Sequence, residues 1–144
     1  MLEEVMPVEL KNVLEKDYRF LYDMLKERDP IVNISHKQMP TYKEHKQFVR
    51  SKPYSKWYIV YCEGKKVGSA YLSKQNEIGI FLKKGRQNRG IGNVVLQLIM
   101  KKNPRPRYLA NINPKNNRSI KFFKKNGFNL IQYTYEFINT AGMK

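Results

Sequence analysis

The chain has 144 residues, 41% of them hydrophobic and 12% aromatic, and 28 Lys/Arg against 12 Asp/Glu give a formal charge of +16. This predicts one folded domain over residues 1–144 with a core of its own, and excludes a compositionally disordered chain. No run approaches the roughly 18 apolar residues of a membrane span, the acidic start Met1-Leu2-Glu3-Glu4 lacks a signal-peptide pattern, and the lone Cys62 rules out an intrachain disulfide and a cysteine metal cage, so a cytoplasmic protein without a metal is expected.

Val5 to Leu10 reads as a short strand. Leu14 to Arg28 is an amphipathic helix, with Leu14, Tyr18, Leu21, Tyr22 and Leu25 three and four apart. Asp29-Pro30 stops it, and Ile31 to Pro40 is a loop. Thr41-Tyr42-Lys43-Glu44 has the form of a capping box, starting a second helix that runs to Lys52. Trp57 to Cys62 and Val67 to Leu72 are strands joined by a hairpin turn over Glu63-Gly64-Lys65-Lys66. A turn over Ser73 to Asn76 leads to a strand from Glu77 to Leu82. A glycine turn follows, then a helix to Lys102 whose apolar stripe is Ile91, Val94, Val95, Leu98 and Ile99. Tyr108 to Ile112 is a strand. Asn116 or Asn117 caps a fourth helix, which Asn126-Gly127 ends. Phe128 to Ile138 supplies one or two final strands, and this tail could add to an interface. The order β-α-α-β-β-β-α-β-α-β-β predicts an α/β (mixed α+β) fold, a central mixed sheet of six to seven strands flanked by about four helices.

Charge is unevenly spread. Residues 1–63 carry 11 Lys/Arg and 10 Asp/Glu, whereas residues 64–144 carry 17 Lys/Arg and only Glu77 and Glu136 as acids. Such a field concentrates polyanions: a phosphate-rich cofactor, a nucleotide-linked substrate, nucleic acid or an anionic surface. A lysine-rich solvated face gives the same count. The turn Gln87-Asn88-Arg89-Gly90-Ile91-Gly92 lies in the basic half, between a strand and a helix. Helix N-termini carry unsatisfied N–H groups and partial positive charge, and glycine lets a phosphate approach the backbone. A dinucleotide fingerprint is excluded: Asn93, Val94 and Val95 follow where a third glycine is needed, and no acid stands about 20 residues on. A P-loop is excluded because no Gly-Lys-Ser/Thr occurs.

A second constellation, Asn116-Asn117-Arg118-Ser119-Ile120-Lys121-Phe122-Phe123-Lys124-Lys125-Asn126-Gly127-Phe128, lies 24 residues past Gly92. With it the chain resembles the GNAT superfamily of acyl-CoA-dependent N-acetyltransferases. Gln87, Gly90 and Gly92 match the cofactor motif Q/R-x-x-G-x-G/A. Asn116, Ser119, Lys125, Gly127 and Phe128 match the later motif N-x-x-S-x-x-x-Y-x-K-x-G-F. The resemblance implies that acetyl-CoA (coenzyme A) is the cofactor. Its pyrophosphate would rest on the backbone of Gln87, Asn88, Arg89, Gly90, Ile91, Gly92 and Asn93. Ile80, Phe81 and Leu82 would pair with the pantetheine arm, Asn116 would hydrogen-bond it, and Ser119 and Phe123 belong to the same motif. Arg86, Arg89, Arg118 and Lys125 would be phosphate contacts. The sheet would splay between Glu77–Leu82 and Tyr108–Ile112.

The chain departs from the family where chemistry is done. Phe123 stands where many members place a proton-donating Tyr, and Asn111 where several seat the base. Glu77 is the remaining base candidate, Tyr71 and Tyr108 are candidate acids, and His36 and Asn111 are candidate acceptor contacts. The expected reaction is acetyl transfer to a primary amine on a small molecule. The Asn33–His36 and Met39–His45 segments resemble members that modify nucleotide-linked amino sugars. A protein N-terminal acetyltransferase, and a non-catalytic module that binds a polyanion such as RNA, are the alternatives. A homodimer is open.

Overall fold

The computed structural model describes residues 7–28, 38–87 and 90–140. Its sheet grows from the Glu63-Gly64 turn, where both residues take left-handed angles (φ 51° and 76°). A two-residue turn of that hand matches the twist of the strands it joins. It links β2 (Lys56–Cys62) to β3 (Lys65–Leu72) in an antiparallel pair with a register shift at Val60/Tyr61. β1 (Val8–Asn12) adds to β2, and β4 (Ile78–Leu82) adds to β3. The sheet order is β1-β2-β3-β4, every neighbour antiparallel.

Four helices cover the two faces: α1 (Tyr18–Glu27), α2 (Tyr42–Arg50), α3 (Ile91–Lys102) and α4 (Asn117–Lys125). Strand alternation sorts the layers. Tyr58, Val60 and Cys62 face Ile91, Val95, Leu96 and Ile99 of α3 and Phe123 of α4. Ile59, with Trp57 and Tyr61 beside it, packs on Leu21 of α1 and Val49 of α2. With both faces covered, β2 reads as a continuous apolar run, since neither set of side chains meets water. The capping box forms as expected: the Thr41 hydroxyl accepts the Glu44 N–H at 3.1 Å and the Glu44 carboxylate accepts the Thr41 N–H at 2.9 Å. These bonds hold the Glu44 carboxyl below its ordinary pKa.

The expected first helix divides in two. Glu15–Asp17 is a 3₁₀ turn, because the Asp17 carboxylate accepts the Leu14 N–H at 2.8 Å and the Lys66 ammonium at 2.7 Å. Asp17 is 1% exposed, so this pair ties the start of α1 to β3.

The expected sheet of six to seven strands is corrected to four among the described residues, and its named strands are antiparallel rather than mixed. Tyr108–Ile112 forms no strand. It contributes one parallel bridge, Glu77 to Leu109, closed by Leu109 N–H to Asn76 O (2.9 Å) and Ile78 N–H to Leu109 O (2.8 Å). The chain then turns: Asn113 Oδ1 accepts the Lys115 N–H and Asn113 O accepts the Asn116 N–H, which commits this stretch to the entry of α4.

Phe128–Ile138 also forms no strand. Phe128 is pinned by its N–H to Phe123 O (2.9 Å) and by ring contact with Phe123. Beyond it Leu130, Ile131, Tyr133, Tyr135, Phe137 and Ile138 are all exposed, Tyr135 and Phe137 at 89%. The alternation is that of a strand, but a strand needs a neighbouring edge to hydrogen-bond, and none runs alongside within this chain's described residues.

Candidate active site

Gly90 is the N-cap of α3, with φ 77°. An L side chain is strained at that angle, and the space over the glycine is open: a Cβ there would meet nothing within 4 Å. No side chain caps this helix and no acid sits in its first turn, so its leading N–H groups keep their donors and their partial positive charge. Gln87 braces the turn. Its Nε2 donates to Leu82 O at 3.3 Å, and its Oε1 accepts from Arg118 Nη1 at 3.2 Å. That second bond joins the two sequence motifs in space. Asn93 and Asn126 add another link between α3 and α4 at 2.9 Å. Asn88 and Arg89 lie outside the described residues.

β4 leads into this turn with one edge that no other named strand pairs among the described residues. Its other edge is bonded to β3 throughout. The Ile78 N–H points away from β3, to Leu109 O, so alternation directs the backbone of Ile80 and Leu82 to that same open side. The bridge at Leu109 closes the base, and past it the strands part. The gap opens into a cleft of about 950 Å³ lined by Ile78–Leu82 on one wall and by Asn111, Ile112 and Asn113 on the other. Asn116, Ser119 and Phe123 line it from α4. Asn116 caps α4, its Oδ1 accepting the Ser119 N–H at 3.1 Å. Phe123 is buried among Phe122 and Phe128, an apolar wall without a transferable proton.

Glu77 begins the face of β4 that looks toward α1. Its carboxylate accepts the Ser73 hydroxyl at 2.9 Å and the Asn111 side-chain amide. Ser73 is fixed in turn by accepting the Gln75 and Glu77 N–H groups. Along the same face comes Gly79, where a Cβ would collide with the Tyr71 ring, so only glycine lets that ring lie flat on β4. Tyr71 stacks on Tyr54 (ring centroids 4.1 Å apart, planes 7° apart) and leans toward Phe81. Burial pushes the Tyr54 hydroxyl up to about 12; burial first and the Glu77 charge second raise Tyr71. Both phenols therefore keep their protons at neutral pH. Tyr108 is set aside as an acid: its hydroxyl is spent on Asn103 O at 2.6 Å and on the Arg105 N–H at 3.0 Å.

A family model described as "Acetyltransferase (GNAT) family" matches residues 17–128. The chain belongs to the acetyltransferase (GNAT) family. Membership makes it an acyltransferase that uses acetyl-CoA. No curated protein sequence matches it. Among solved structures it is similar to a domain from Methanocaldococcus jannaschii (22% identity over 92% of this chain and 94% of that one, TM-score 0.79). It is also similar to an acetyltransferase from Salmonella typhimurium that modifies the N-terminal serine of ribosomal protein L7/L12 (21%, 94% and 92%, 0.70). A third is the spermidine N-acetyltransferase of Vibrio cholerae, in complex with CoA and spermine (14%, 92% and 88%, 0.76). At these identities the likeness is one of fold.

The fold thus brings Glu77 and Asn111 into contact, two residues the sequence treats as separate candidates. His36 lies outside the described residues. Of the acids Glu27, Asp29 and Glu44, Glu27 lines the cleft, Glu44 is spent on its cap and Asp29 lies outside the described residues. Sequence reasoning missed Arg28 as a site residue. Its position, the last before Asp29-Pro30, reads only as a helix end, and its guanidinium lies 3.8 Å from the Phe81 ring centre. Its charge also acts on His45, a buried residue of α2 whose Nε2 has no partner among the described residues. Burial first and the Arg28 charge second hold His45 below its ordinary 6.5. The unfolded chain therefore binds this proton more readily than the folded one. Stability should be full above about pH 6.5 and fall as pH drops below it. His45→Gln should flatten that slope between pH 5 and 7, measured as urea midpoints across pH; an unchanged slope would clear His45 of the effect.

Proposed function

We propose that this protein transfers an acetyl group from acetyl-CoA to the primary amine of a small molecule such as a nucleotide-linked amino sugar. The carrying observation is the continuity of the open β4 edge with the uncapped start of α3 inside one cleft. The residues fit the cofactor. Ile80 offers open backbone for the amide-bearing pantetheine arm, and the start of α3 from Gly90 to Asn93 offers N–H groups to the pyrophosphate. Asn116, Ser119 and Phe123 face that edge across the cleft. Arg28, Lys84, Lys115, Arg118, Lys121 and Lys125 line it, against Glu27 as the one acid. Acetyl-CoA, when bound, supplies an activated thioester and a thiolate leaving group.

This chain's own residues handle the protons. Glu77, bonded to Ser73 and to the cleft-lining Asn111, would take a proton from the incoming ammonium so that a neutral amine attacks. Tyr71, protonated and lining the cleft, would give one to the departing sulfur, in the role for which Phe123 has no proton. The preference for a nucleotide-linked acceptor follows from charge, since a +16 protein repels a polyamine at long range and attracts a phosphate.

The tail adds a partner. Six exposed apolar residues in a strand alternation suit a second copy of this chain, which would bury them against a sheet edge as a homodimer.

Three outcomes are expected. Gly90→Glu should abolish acetyl-CoA binding in isothermal titration, by setting a carboxylate against the pyrophosphate; wild-type affinity would remove the turn from the site. Glu77→Gln should lower turnover roughly 10²–10⁴-fold at unchanged acetyl-CoA affinity, and near-normal turnover would remove Glu77 as the base. Tyr133, Tyr135 and Phe137 all changed to Ser should turn a dimer into a monomer in light scattering; a wild-type monomer would refute the dimer.

A further inference from the structure

Arg28 is half-buried at the C-terminal end of α1 and lines the cleft. A cation there suits the helix dipole. The dipole does not explain the rest of its surroundings. The guanidinium lies on the face of Phe81, and its charge reaches the stacked pair Tyr54 and Tyr71 and the buried His45. All are apolar or neutral groups. Among the described residues Arg28 makes no ion pair. Glu77, the acid just before β4, is already committed to Ser73 and Asn111. Glu27 lines the same cleft from α1, but neighbouring helix residues point about 100° apart, and the two form no bond.

A guanidinium stays charged in proteins, so its burial cannot be relieved by losing the proton. Such a group costs free energy unless an anion meets it. Phe81 and Glu77 share one face of β4, so an anion on Arg28 would sit on the same side of the strand as the proposed base.

We propose that Arg28 is an anion-receiving subsite, which selects acceptors carrying a phosphate or carboxylate on the same molecule as the amine. The inference deepens the proposed acetyl transfer and rests on it. A guanidinium presents two parallel N–H donors to either group, and Phe81 lies under that of Arg28 in the cleft. A polyamine would place cation against cation here.

The test uses four amines with the intact protein: UDP-glucosamine (phosphate), L-serine (carboxylate), glucosamine (neutral) and spermidine (cationic). Transfer is followed by thiol release, and binding to the acetyl-CoA-loaded protein by isothermal titration. The wild type should prefer one anionic probe over glucosamine and spermidine, and which one it prefers separates the phosphate from the carboxylate. Arg28→Gln should lower the anionic-to-neutral preference in kcat/KM by about 10–100-fold, through KM, as expected for a charged hydrogen bond. Arg28→Lys, which keeps the charge and loses the fork, should fall between. A preference unchanged in Arg28→Gln, or spermidine as the best wild-type acceptor, would overturn the subsite. If no amine is acetylated, the proposed reaction fails separately; Arg28-dependent binding of an anionic probe then still supports the subsite, and its absence overturns it.

Discussion

The structure turns on one place where a sheet stops. Residues 108–112 meet β4 through a single bridge at Leu109 and then leave it. Backbone N–H and C=O groups do not stay unpaired without cost, so the edge at Ile80, open among the described residues, is an unmet demand for hydrogen bonds. A ligand with an extended amide backbone meets that demand as another strand would. The uncapped N-terminus of α3, set by the Gly90 turn that follows β4, lines the same cleft.

The two faces of β4 divide the labour. Ile78, Ile80 and Leu82 pack toward the core beneath α3 and keep the edge rigid. Glu77, Gly79 and Phe81 face α1 and α2, under the Tyr54–Tyr71 stack and Arg28. The missing side chain at Gly79 matters as much as those present, because it lets Tyr71 lie close to the strand. The Asp17–Lys66 pair anchors the start of α1 on β3 and so sets the position of its other end, which carries Arg28.

The local elements were legible in the sequence wherever their cause is local. The capping box at Thr41, the hairpin at Glu63-Gly64, the Asn116 cap and the glycine at the head of α3 all depend on residues within a few positions of one another. The family was legible too, because both motifs are short and ordered along the chain. Tyr108–Ile112 and Phe128–Ile138 have strand composition, yet neither is a strand. A strand exists only in its pairing, and pairing is a property of distant segments.

What the sequence by itself determined is a basic, glycine-bearing turn between a strand and a helix, the acetyltransferase family, and the absence of the usual Tyr and base at Phe123 and Asn111. Each follows from residue identity and spacing. Only the tertiary structure decided that Asn111 clamps Glu77, that Gln87 bonds Arg118 across the two motifs, and that Arg28 lies against Phe81, 53 positions further along the chain. The reason is physical: a carboxylate, an amide or a guanidinium takes its role from the group it touches, and in this fold those groups come from segments more than 30 positions apart.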